Sequence, residues 1–180
     1  SSPRIDNLTS VYASLQAIMS ETSGVCVAAC LDSEEIGSQT RQGAAGEFLK
    51  SILTRIAGGQ NKNTESLFRA LSTSFCISLD NAHSLHPNHP EKCDLTNRAK
   101  MGGGIVIKGH AGGAYTTDAL SSAVIKTIFD TANVKYQTFY NRSDMRSGST
   151  LGAISIGQVS VPSVDLGIAQ LAMHSARSEE

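Results

Sequence analysis

Two acid-tipped apolar runs and one histidine carry most of the chemistry this sequence offers. "VCVAACLDSEE" sets Asp32, Glu34 and Glu35 at the end of one strand-like run, and "FCISLDNAH" sets Asp80 and His83 at the end of another. A third run, "VPSVDLGI", leads shortly to "AQLAMHS" and so to His174. In open α/β sheets ligands collect outside the carboxyl ends of the strands, so these groups are expected along one edge. Carboxylates and an imidazole converging there would repel one another or lose their charge unless a cation held them. Taken alone, Asp32, Glu34 and Glu35 read as a solvated turn. The second acid-tipped strand and the trailing histidine favour the cation site.

The elements that must position these groups alternate along the chain. Leu8, Val11, Tyr12, Leu15, Ile18 and Met19 recur at helical spacing after Asp6 and Asn7, two good N-cap types, which predicts an amphipathic helix. "GVCVAACL" predicts a central strand, too apolar to have a wet face. "GAAGEFLKSILTRIAG" predicts a helix closed by Gly58 and Gly59. Strands are expected at "SFCISLD", "GGGIVIKG", "KYQTFY" and "VPSVDLGI", with a helix over "TDALSSAVIKTIFDTA" capped by Thr117 or Asp118. No repeat and no low-complexity linker divides the chain. The expected fold is a three-layer α/β sandwich, with helices on both faces of a mostly parallel or mixed sheet.

Composition excludes several other classes. A chain of 180 residues folding as one domain buries roughly 70% of its unfolded surface. Hydrophobic residues at 40%, charged residues at 17% and a net charge of −1 give no basic field, so no nucleic-acid partner is expected. No apolar run approaches the roughly 20 residues of a membrane span, and no charged-then-apolar leader opens the sequence, so no membrane partner is expected either. Cys26, Cys30, Cys76 and Cys93 form no C-x-x-C pair, which points to reduced thiols and a cytoplasmic location.

The stretches "SPRIDNL", "DSEEIGS", "SLDNAHSLHPN" and "MHSAR", in that order between residues 2 and 177, resemble the aspartyl aminopeptidase family of cytosolic dinuclear zinc exopeptidases. "GGGIVIK", the tyrosine of "AYTT" and "SGSTLG" extend the likeness; Ser33, Ala114, Ser147 and Ser178 depart from the family pattern, none of them at a ligand position. The resemblance implies a zinc-peptidase sandwich of the phosphorylase/hydrolase type. It implies that Asp6 bridges two divalent ions, zinc with cobalt or manganese as alternatives. Glu35 and His174 would complete one site, Asp80 would serve the other, and Glu34 would be the general base. His83, Lys108 and Tyr115 would contact substrate, with Lys108 facing an acidic N-terminal side chain. Adjacent Glu34 and Glu35 would point to opposite faces of a regular strand, so both reach one site only if the chain turns, as Gly37 allows.

Counting donors leaves the second ion one protein ligand short. The family fills that place with a histidine upstream of the bridging aspartate, beyond an inserted oligomerising domain. Residues 1–180 are therefore expected to be the C-terminal portion of a catalytic domain, inactive alone. The activity implied is hydrolysis of an acidic N-terminal residue from peptide substrates by a water held between two ions, in a homo-oligomeric dodecamer. The alternatives are a neutral-residue aminopeptidase or related dinuclear amidohydrolase, and a non-catalytic scaffold. Two further features carry no site. The "MGGGIVIKGHAGG" glycines precede a strand rather than a helix and lack G-K-S/T, and "SGSTLG" lacks the G-x-S-x-G elbow.

Overall fold

The computed structural model describes residues 1–20 and 23–179. Helix α1 spans Ile5–Met19, α2 Phe48–Gly59 and α3 Thr64–Ser72, followed by strands β1 Cys76–Leu79 and β2 Ala82–His83. Next come β3 Ile105–Gly109, α4 Ala119–Thr131, β4 Tyr136–Tyr140, α5 Leu151–Ser155, β5 Ser163–Gly167 and β6 Ala169–Gln170. The main sheet has the order β1-β5-β3-β4, parallel within β1/β5 and β3/β4 and antiparallel where β5 meets β3. β2 and β6 form a small parallel pair just beyond the ends of β1 and β5.

β5 is buried at all five positions, which is why its sequence shows no polar alternation. Period-2 geometry sends Val164 and Leu166 to one face, where they meet Ile107, and Ile125 of α4 closes that cluster. The opposite face carries Ser78, Asp165 and Lys108 side by side across β1, β5 and β3. There α5 lies close: a Cβ on Gly152 would stand 2.5 Å from Ser78 Oγ and 2.7 Å from Asp165 Oδ1. The sheet is thus mixed, with a helix on each face. α4 starts where the sequence says it should: the Asp118 side chain accepts from Ser121 N while Ser121 Oγ accepts from Asp118 N, a reciprocal cap.

Three expectations need correction. Residues 24–31 pair with no strand among the described residues. Val25 and Val27 are 81% and 51% exposed, and an apolar run without a neighbouring ladder remains extended chain. Asp6 and Asn7 do not cap α1; both have non-helical φ/ψ and the regular turns begin after them. Asn7 Nδ2 instead donates to Leu79 O at 2.9 Å, tying α1 to the end of β1. Finally, α3 was not expected from the sequence; Asn63 caps it by accepting from Ser66 N. α2 and α3 bury no residue, and α1 leaves Leu8 and Tyr12 52% and 65% exposed.

Candidate metal centre

The rim beyond β1 gathers the acidic groups. β1 runs out at Leu79 directly into Asp80, and the Asn7 contact brings the start of α1, with Asp6, against that strand end. Glu34 and Glu35 reach the rim through a single 3-10 turn, Glu34–Ile36, bracketed by Ser33 at φ 65° and Gly37 at φ 96°. The left-handed residue on each side makes the turn that adjacent glutamates need to share a site; Gly37 takes its φ without steric cost. β5 leads through β6 to His174, which closes the group from the third side.

His174 Nε2 lies 3.0 Å from Glu35 Oε1 and 3.5 Å from Asp6 Oδ2. One donor atom from each of Asp6, Glu35 and His174 falls within 4.8 Å of the other two. Burial decides the character of each. The Asp6 side chain is 9% exposed, whereas Glu35 and His174 are 60% and 67% exposed, so the cluster has a sheltered floor and an open outer wall. Asp6 Oδ1 is buried without any hydrogen-bond partner. A buried carboxylate with one partnerless oxygen, beside another carboxylate and an imidazole, is an arrangement a divalent cation satisfies, so these residues fit a zinc ion.

Electrostatics agree. Burial first, then the charges of Asp80 and Glu35, pushes the Asp6 carboxyl up to about 6. Burial and then Asp80, Glu35 and Asp6 push Glu34 up to about 7. Four acids therefore feel one another across this rim, Asp80 and Glu34 alongside Asp6 and Glu35 of the cluster. Burial lowers the His83 imidazole, helped by His174 and Lys108, which places His83 beside the same group in its neutral form.

Lys108 lies differently from a surface substrate contact. Its side chain is 2% exposed, and Nζ donates to Asp80 Oδ2 at 3.3 Å and to Asn81 O at 3.1 Å. The ammonium also sits 5.2 Å from the centroid of the Tyr115 ring, whose own burial raises the phenol. Tyr115 is 9% exposed, edge-on to His110. Asp32 faces its own loop, accepting from Ser33 N at 2.7 Å. A separate cavity opens elsewhere, along Gly109, His110, Asp118, Lys126 and Tyr140, and Asp6, Glu35 and His174 are not among its lining residues. There His110 Nδ1 accepts from Gly112 N, which leaves Nε2 to donate to Ser147 Oγ at 2.9 Å, the wrong sense for activating a serine.

Two carboxylates and an imidazole that could hold a metal ion, gathered at the strand ends of an α/β sandwich, fit a metallohydrolase type of centre. Residues 1–179 match the aminopeptidase I zinc metalloprotease (M18) family, and the chain belongs to it. It is 48% identical over 181 residues to a probable M18 family aminopeptidase 2 of Clostridium novyi, covering 98% of this chain and 41% of that protein. It is 38% identical over 185 residues to a probable aspartyl aminopeptidase of Ricinus communis, covering 98% and 38%. The mApe1 dodecamer of S. cerevisiae superposes with a TM-score of 0.81 at 28% identity, over 98% of this chain and 41% of that one. The chain thus spans about 41% of the length of the first of these relatives. Among the described residues no helix is long and apolar enough to cross a membrane.

Proposed function

We propose that this chain is the C-terminal portion of the catalytic domain of a zinc aminopeptidase that removes an N-terminal residue, acidic by preference, using two divalent ions. The observation that carries this reading is the meeting of Asp6, Glu35 and His174, remote in sequence, within 4.8 Å. Family membership and the relatives' names support the reaction class. Asp6 is taken as the ligand shared by both ions, Glu35 and His174 as completing one site and Asp80 as serving the other. Zinc is the metal in the family's description; cobalt and manganese are kept as alternatives. The apolar surface left open at Leu8 and Val25 supports a larger catalytic unit, as does the 41% span.

When bound, the ions would supply Lewis acidity and a water pKa lowered from about 15.7 toward about 7. The remaining work falls to the chain's own residues. Glu34, raised to about 7, takes a proton from the attacking water as the new C–O bond forms. It returns that proton to the departing amide nitrogen as the C–N bond breaks. His83 and Tyr115 wall the substrate side. Lys108 reads an acidic side chain only by turning its ammonium away from Asp80, since it is buried where it stands. That burial is the observation favouring the runner-up, an aminopeptidase for neutral residues.

The dodecameric S. cerevisiae relative supports a homo-oligomer for the complete protein. Cysteines free of disulfides, three of them exposed, support a reducing cytoplasmic compartment. The deciding experiment assays the complete protein on aspartyl and leucyl dipeptide substrates with and without chelator. Chelator-sensitive cleavage that favours aspartyl substrates is expected. Chelator-insensitive cleavage rejects the metal mechanism, a leucyl preference selects the runner-up, and no cleavage with zinc supplied favours a non-catalytic scaffold.

A further inference from the structure

Asp6, Asp80 and His174 arrive on three separate segments, and one buried carboxamide, carried next to Asp80, hydrogen-bonds to the other two. Asn81 is 4% exposed. Its Nδ2 donates to Gln170 Oε1 at 2.6 Å and to Ile5 O at 3.1 Å. Ile5 precedes Asp6, Asn81 follows Asp80, and Gln170 stands on β6 four residues before His174. The Asn81 main-chain oxygen accepts from Lys108 Nζ at 3.1 Å, the same ammonium that holds Asp80 Oδ2 at 3.3 Å. Thr9 completes the joint, its hydroxyl lying 2.9 Å from Ile5 O and 3.4 Å from Asn81 Oδ1.

Chemistry restricts what can occupy this point. Two acceptors, Ile5 O and Gln170 Oε1, demand two N–H donors from one short neutral group, which an asparagine supplies. A carboxylate there would present oxygen to oxygen beside Asp80. An aliphatic side chain would leave the buried Gln170 oxygen unpaired, next to a Gln170 Nε2 that already lacks a partner. The Asn7–Leu79 bond ties the helix start to the strand end, and the β2/β6 ladder ties the strand end to the segment before His174; among the described residues the Asn81 carboxamide is the single side chain that joins the helix start directly to β6.

We propose that Asn81, together with Gln170, is a positioning clamp that sets Asp6 relative to Asp80 and registers the strand leading to His174. The affinity of the rim for a divalent cation is then governed by two residues that touch no ion. This rests on reading the rim as a zinc site. The test uses the complete protein and measures zinc affinity by competition with a chromophoric chelator, beside the melting temperature of the zinc-free form. Asn81→Leu and Gln170→Leu are each expected to weaken zinc binding by about 10-fold or more. The double variant should lose no more than the worse single one, because the pair acts as one unit. Ser121→Ala, which removes a buried hydroxyl from the α4 cap, should lower the zinc-free melting temperature and leave zinc affinity within about 2-fold.

Should Asn81→Leu and Gln170→Leu lose thermal stability as Ser121→Ala does while binding zinc as tightly as the unaltered protein, the clamp is only structural and the proposal fails. If Asn81→Leu does not fold, Gln170→Leu decides by the same comparison. If the unaltered protein binds no zinc, the reading beneath fails instead, and the titration of that protein alone reveals it.

Discussion

Removing metal should make this protein pH-sensitive in a direction set by Asp6. Its carboxyl stands at about 6 in the folded chain against an ordinary 3.8. Glu34 stands at about 7 against 4.5. A raised carboxyl pKa means that the folded state binds protons more tightly than the unfolded one, so stability is full below the ordinary value and falls as pH climbs through the folded value. The window is therefore about pH 4 to 7. Each shift exceeds 2 units, nominally about 3 kcal/mol apiece. The two overlap, because Asp6 is itself a cause of the Glu34 shift, and the outer wall is wet. A net loss of about 2–3 kcal/mol is the realistic figure. The assay is denaturant unfolding of the chelator-treated complete protein at pH 5 and pH 8, beside Asp6→Asn. Because the variant keeps Glu34 and part of the Asp6 effect is already lost at pH 5, the unaltered protein should lose about 1–2 kcal/mol more than the variant on going to pH 8, and added zinc should reverse the trend, since it binds the deprotonated acids. A chelated protein with the same pH slope with or without the Asp6 carboxylate would refute the reasoning.

Other outcomes follow from the same geometry. Glu34→Gln should keep zinc content while turnover falls by about 10²-fold or more; large zinc loss would show that Glu34 and Glu35 have exchanged roles. Lys108→Ala should cut kcat/KM on aspartyl substrates more than on leucyl ones, and an equal fall on both would confine Lys108 to holding Asp80. Gly152→Ala should cost about 1–3 kcal/mol in denaturant unfolding, because the added methyl meets Ser78 Oγ and Asp165 Oδ1; a neutral result would mean α5 can move away from the sheet.

Much of the fold was legible because its strands are short apolar runs with abrupt ends: β1, β3, β4 and β5 fall inside the stretches expected, and Asp118 caps α4 as one of two candidates. Periodicity does not report pairing partners, however, so the equally apolar run 24–31 reads as strand although no described neighbour bonds to it. α3 was within reach, for Asn63 three residues ahead of Ser66 is a capping signal. At the rim, acid-tipped runs and a trailing histidine pointed to Glu35, Asp80 and His174, whereas Asp6 came only from the family resemblance. The sense in which Lys108 faces was hidden: a lysine at a strand end is ordinarily solvated, and only the cross-strand register with Asp165, the Asp80 contact and the overlying Tyr115 ring show it buried. The Asn81 and Gln170 contact, between residues 89 apart in sequence, leaves no local trace at all.

The most direct measurement is an anomalous-difference map at the zinc absorption edge from crystals of the complete protein. A peak about 2.0–2.2 Å from Asp6, Glu35 and His174 donor atoms, with a second beside Asp80 sharing Asp6, is the predicted result. Zinc bound only at the cysteines, or no peak between Asp6 and His174, would contradict it.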